Sequence, residues 1–207
     1  MTIKDYIPNL TGATALLRQD NRQPRRETMQ AVSAFLADKG YQATYPRLFE
    51  ALMRFGAKEE EKLGGKGLLI RGSYGIGKTL GVSLLAARYK WPVIAANDFI
   101  SVYSSEERWT FENFADGLDF FGNPLPVVVV DDLGSEPRSI KRYGSELDVV
   151  ATVLERRYRM FAKAGCRTVI TTNLTDAEII DRYGDRINDR LNEMLVFVTV
   201  NGNSLRK

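Results

Sequence analysis

Residues 67–79 read Gly67-Leu68-Leu69-Ile70-Arg71-Gly72-Ser73-Tyr74-Gly75-Ile76-Gly77-Lys78-Thr79. An apolar run leads into the spacing G-x-x-x-x-G-K-[ST], and a helix-forming stretch, Lys78 to about Lys90, follows it. This is a strand, a phosphate-binding loop and a helix in the order such a loop requires. Gly72, Gly75 and Gly77 let the backbone curl and aim its N–H groups at phosphate oxygens. The helix after them adds the positive end of its dipole. The stretch in reach of a nucleotide is Gly72, Ser73, Tyr74, Gly75, Ile76, Gly77, Lys78, Thr79 and Leu80. Lys78 suits the β- and γ-phosphates, and the Thr79 hydroxyl suits Mg²⁺. A glycine-rich turn that meets the pattern by chance is the alternative, and the flanking strand and helix weigh against it.

After residue 66, strands alternate with helices. The strand candidates are Leu68–Arg71, Val93–Ala96, Val127–Asp131, Thr168–Thr172 and Leu195–Val200. The wholly apolar Val127–Val130 predicts an internal strand of a parallel sheet, buried on both faces. Ser145–Lys163 reads as one helix, with Leu147, Val150, Leu154 and Phe161 on a 3.6-residue period. The alternation predicts an α/β fold in three layers.

Two strands end in polar tips. Val127–Val130 runs into Asp131 and Asp132. Beside a phosphate loop, Asp131 would hold Mg²⁺ and Asp132 would orient or deprotonate the attacking water. An acidic turn after a buried strand would leave the same residues. Thr168–Thr172 ends in Asn173, which could hold the lytic water or serve as a turn or cap residue where Thr175 and Asp176 open a helix. Further on, Tyr183-Gly184-Asp185-Arg186-Ile187-Asn188-Asp189-Arg190-Leu191 puts Arg186 and Arg190 on one helical face. They could reach a neighbouring subunit's nucleotide as arginine fingers, or pair with Asp185 and Asp189 on a surface helix.

The 207 residues include 29 basic and 26 acidic side chains and are 44% apolar, which suits one globular domain with a small appendage. A net charge of +3 permits a polyanionic partner without requiring one. There is no histidine, and Cys166 is the only cysteine, so a Cys/His zinc site and an internal disulfide are both excluded. No apolar run approaches the ~20 residues that span a bilayer, and no signal peptide is visible, so the chain reads as cytoplasmic, without a membrane partner. Residues 1–60 predict a short helical segment, with amphipathic stretches at Glu27–Lys39 and about Tyr45–Ala57, and residues 61–207 an ATPase domain. The two short helices would dock a partner or pack on the core.

Taken together, the motifs resemble the AAA+ ATPases. More narrowly, residues 66–206 resemble the DnaC-like helicase loaders and the related IstB-like transposition helpers. The likeness lies in Asp131-Asp132-Leu133-Gly134-Ser135-Glu136, in Thr171-Thr172-Asn173-Leu174, in Tyr183–Arg186 with Asp189–Leu191, and in the ending Gly202-Asn203-Ser204-Leu205-Arg206. The resemblance implies a P-loop NTPase core with sheet order 5-1-4-3-2 and no helical lid domain. It implies ATP and Mg²⁺ as ligands, Lys78 and Thr79 on phosphate and metal, and Asp131 supporting the metal. Asp132 becomes the catalytic acidic residue, Asn173 sensor 1, and Arg190 the trans-acting finger with Arg186 as runner-up. It also implies an ATP-dependent ring or spiral of subunits.

Loaders of this group grip single-stranded DNA through phosphates and stacking, and the candidates here are Arg138, Lys141, Arg142 and Tyr143. An ordinary solvated basic loop would look the same. Trp109, Phe111, Phe114, Phe120 and Phe121 could stack bases or bury a helix, and burial is the commoner use. The protein partner would be a replicative helicase or, alternatively, a transposase. A nucleotide-gated adaptor with little turnover and a small-molecule kinase are the rival functions, although no arginine-rich lid for a phosphoryl acceptor is evident.

Overall fold

A computed structural model describes residues 65–104, 108–119, 121–142, 145–201 and 204. The segment 1–60 and its two expected helices lie outside the described residues. Five strands form one parallel sheet: β1 (Gly67–Gly72), β2 (Val93–Ala95), β3 (Val127–Leu133), β6 (Arg167–Thr172) and β7 (Leu195–Val200). Their order is β2-β3-β6-β1-β7, which is the order 5-1-4-3-2 read from the other edge. β3 is internal, between β2 and β6, and Val127–Val130 are all buried. Each such residue contributes about 1.5–3 kcal/mol by leaving water, which is why an unbroken valine run tolerates no solvent face here.

Six helices are described: α1 (Lys78–Tyr89), α2 (Asp98–Ser104), α3 (Arg108–Asp116), α4 (Val149–Ala164), α5 (Asp176–Tyr183) and α6 (Asp185–Met194). α1 packs on β1, β3 and β6. The others form the second helical layer. In it Val150, Val153 and Leu154 of α4 meet Phe99, Phe111, Val130, Ile170, Ile179, Ile187 and Leu191. The caps follow the chemistry of the chain. Asp148 accepts the Ala151 N–H at 2.8 Å to start α4, and Thr175 with Glu178 forms a capping box on α5.

One expected helix is shorter than its periodicity suggests. Ser145–Leu147 is a strand, β5, antiparallel to β4 (Ile140–Arg142), and α4 begins only at Val149. Leu147 packs against the same core from the strand, so its spacing with Val150 and Leu154 imitates a helical face. The aromatic insertion also divides. Phe111 is buried and edge-on to Phe99 and Tyr103, with Phe114 beside them, while Phe121 is exposed. Phe120 lies outside the described residues, as does the Trp109 side chain.

Candidate nucleotide site

Parallel strands bring their C-terminal ends to one edge of the sheet, and β6 lies between β1 and β3. Thr172 pairs with Arg71 on one side and Leu133 on the other. Asn173 therefore emerges between the phosphate loop and the acidic pair. Its Oδ1 accepts from Lys78 Nζ at 2.6 Å, and its Nδ2 donates to Asp132 Oδ1 at 3.0 Å. Capping of α5 falls to Thr175 instead.

The phosphate loop has the conformation its glycines permit. Gly75 and Gly77 have φ of 76° and 88°, and Gly77 is the N-cap of α1. Gly77 has no side chain to cap that helix, and the N-terminal end it opens is the end of the helix dipole that favours an anion. Ile76 is buried beneath the loop and Tyr74 is exposed on it. Lys78 also donates to Gly72 O at 2.7 Å and Ser73 O at 2.8 Å. A phosphate would exchange these carbonyls for its own oxygens, which make stronger, charge-assisted bonds.

Asp131 is buried at the end of β3. Thr79 Oγ1 donates to its Oδ1 at 3.1 Å and Thr171 Oγ1 to the same oxygen at 2.5 Å. Burial, chiefly, raises its carboxyl above the usual range, with the Asp132 charge adding to this and the two threonine bonds opposing it. A hydroxyl and a buried carboxylate are hard oxygen donors, and among the described residues no cluster of three or more His, Cys, Asp or Glu could form an all-protein cage. That donor set fits Mg²⁺, which keeps waters and phosphate oxygens in its shell. Thr79 and Asp131 would hold it, and bound there it would neutralise charge on the phosphoryl oxygens.

Asp132 has a backbone φ of 55°, one of two positive values among the described non-glycine residues. The β3–β6 register shifts between Val130 and Leu133, and the Asp132 N–H, freed from the ladder, donates to Thr171 Oγ1 at 2.8 Å. This turn carries the Asp132 carboxylate to Asn173. Thr171 thus supports both aspartates, a role the sequence reading did not assign. Its signal was a threonine just before the polar tip of a strand whose six residues are all buried.

Arg186 and Arg190 are not brought to this edge. Both meet Glu155 of α4, rather than Asp185 or Asp189: Arg190 Nη1 contacts Oε2, and Arg186 Nε is 3.4 Å from Oε1. Of the DNA candidates, Arg138 pairs with Asp181 of α5, and Lys141 is exposed on β4 opposite Glu146. These residues lie on or beside a small two-stranded sheet, not a simple loop. Arg142 is in β4, with its side chain outside the description, and Tyr143 lies outside the described residues.

A third carboxylate, quoted in the acidic motif without a role, organises the turn that follows. Glu136, in the turn after β3, accepts from Gly134 N at 2.9 Å, from Arg182 Nε and Nη2 at 3.1 and 2.8 Å, and from the Tyr183 hydroxyl at 2.5 Å. Burial, then the Glu136 charge, pushes the Tyr183 hydroxyl far above its ordinary range. The acidic turn is thereby joined to α5.

No protein-family model and no curated protein matches the sequence. Solved structures match the fold. The crystal structure of the DnaC helicase loader aligns with a TM-score of 0.52 and 19% identity, over 89% of this chain and 96% of that one. DnaI aligns with a TM-score of 0.54 and 20% identity, over 93% of each. AMPPCP-bound DnaA from Aquifex aeolicus aligns with a TM-score of 0.53 and 16% identity, over 77% of this chain and 49% of that one. At these identities the likeness is one of fold. The chain has the three-layer α/β architecture of the AAA+ P-loop domains, the fold it shares with the DnaC and DnaI structures.

Proposed function

We propose that this chain is an ATP-binding and ATP-hydrolysing AAA+ protein of the cytoplasm that acts on DNA, and that its task is to load a replicative helicase onto single-stranded DNA. One observation carries the ATPase reading: the chain Lys78–Asn173–Asp132, set beside Thr79–Asp131, joins three strand ends into one site. The loader reading rests on the fold match to a helicase loader together with the motif resemblance.

In this reading Lys78 and the first turn of α1 hold the β- and γ-phosphates. Asn173 holds a γ-phosphoryl oxygen or the attacking water. Asp132 takes the proton as the water oxygen bonds to the γ-phosphorus and the bond to the ADP oxygen breaks. Arg190, from a neighbouring subunit in a ring or spiral, supplies positive charge to the transferring group, with Arg186 as second candidate. Arg138, Lys141, Arg142 and Tyr143 are the proposed contacts to single-stranded DNA.

The test is ATP hydrolysis per subunit as protein concentration rises, with and without single-stranded DNA. Specific activity that climbs with concentration and shifts with DNA is expected. Flat activity, indifferent to DNA, contradicts the shared site. A pull-down with a ring helicase or a transposase as bait separates loader from transposition helper.

A further inference from the structure

Arg186 and Arg190 lie one turn apart on α6, and both reach the same acceptor on another helix. α4 presents two groups to them, also one turn apart: the Glu155 carboxylate and the Tyr158 ring. Arg190 sets its guanidinium over that ring, 4.9 Å from the centroid, with its Nη1 against Glu155 Oε2. Arg186 brings Nε to 3.4 Å from Oε1 and Nη2 to 3.5 Å from Oε2. The Tyr158 hydroxyl donates to Glu193 of α6 at 2.7 Å, which fixes the ring beneath Arg190.

This bay is shallow. The Glu155 side chain is 29% exposed, Arg190 21% and Arg186 74%. Arg190 Nη1, although against a carboxylate, has no hydrogen-bond alignment with it. Glu155 is held by one long hydrogen bond from Arg186, at 3.5 Å, and by none from Arg190 Nη1, whereas two shorter side-chain bonds lock Arg182 to Glu136. A guanidinium presents the same donor fork to a carboxylate and to phosphoryl oxygens. An arginine resting on Glu155 is thus already set on an anion that a phosphate can replace.

We propose that Glu155 is a positioning residue that parks Arg190, with Arg186 beside it, and that Arg190 reaches a neighbouring subunit's γ-phosphoryl by exchanging the Glu155 carboxylate for it. The inference rests on the shared-site reading above. Assembly then has to break the parked contact, so Glu155 raises the concentration at which the site is completed without changing the rate once it is complete.

The experiment measures ATP hydrolysis against protein concentration for the full chain and for Glu155→Gln, Tyr158→Leu, Arg190→Ala and Glu155→Gln/Arg190→Ala, with thermal unfolding of each. Glu155→Gln is expected to reach the unsubstituted chain's plateau at a concentration about two- to fivefold lower, the range set by a partly exposed ion pair. Tyr158→Leu, which loosens the bay without touching the carboxylate, shifts the midpoint in the same direction, and serves alone should Glu155→Gln fail to fold. The double variant behaves as Arg190→Ala. A folded Glu155→Gln that drops toward Arg190→Ala overturns the proposal, because Glu155 then aims the finger; an unmoved midpoint overturns it as well. A different pattern marks failure of the shared-site reading itself: flat specific activity in the unsubstituted chain and an Arg190→Ala variant as active as that chain.

Discussion

Helices α5 and α6 follow one another, and each carries an arginine paired with a glutamate from another element. On α5, Arg182 meets Glu136, with side chains 12% and 1% exposed, and the carboxylate also takes the Gly134 N–H and the Tyr183 hydroxyl. On α6, Arg190 meets Glu155 at the rim, shares it with Arg186, and lacks hydrogen-bond alignment. Breaking the first pair removes the ionic partner from a largely buried network, whereas the second can be replaced by water or by another anion. The same residue types thus do two jobs. The more buried pair fixes α5 to the turn after the acidic strand, and the partly exposed pair leaves α6 with groups that can change partner.

Substitutions can break this contrast. The largest effect is expected for Arg190→Ala, which should lower hydrolysis by about 10³–10⁵ at concentrations where subunits assemble, the contribution typical of arginine fingers. Binding of a fluorescent ATP analogue should persist. Lys78→Ala should cost about 10²–10³ in hydrolysis, as for loss of one preorganised donor to developing charge, and should weaken analogue binding. Glu136→Ala should cost about 3 kcal/mol in denaturant unfolding, because Arg182 loses its carboxylate partner and the Gly134 N–H and Tyr183 hydroxyl lose their acceptor, whereas Glu155→Ala should change stability by about 1 kcal/mol or less. Equal losses at Glu136 and Glu155 would erase the distinction between the pairs. The smallest effect concerns DNA. Asp181→Ala frees Arg138 and should strengthen single-stranded DNA binding at low salt, while Arg138→Ala should reduce the salt slope by about one counterion.

Much of the scaffold was legible because parallel sheets use apolar runs. Val127–Val130 and Leu68–Ile70 have no polar face to show, and the phosphate loop states its own strand–loop–helix context. Lys78, Thr79, Asp131, Asp132 and Asn173 were also legible as a group, because the parallel arrangement carries the ends of β3 and β6 and the start of α1 after β1 to one edge. What the sequence hid was decided by tertiary placement. Leu147 keeps a helical spacing while lying in a strand. Arg157 looks like the polar side of an amphipathic helix, yet it is wholly buried, bonded to Thr168 Oγ1 and Arg167 O, and burial pushes it down to about 10. Glu155 and Glu136 look alike as acidic residues, and only their neighbours tell them apart.

Subunit mixing tests the shared site most directly. Lys78→Ala is expected to hold nucleotide poorly but keeps Arg190, whereas Arg190→Ala is expected to bind nucleotide but lacks the finger. Each alone should hydrolyse ATP at its own depressed rate. The account predicts that mixing them restores hydrolysis, because Arg190 of one subunit completes the site of the other. A mixture no more active than the sum of its parts, under conditions where the unsubstituted chain turns over, would contradict it.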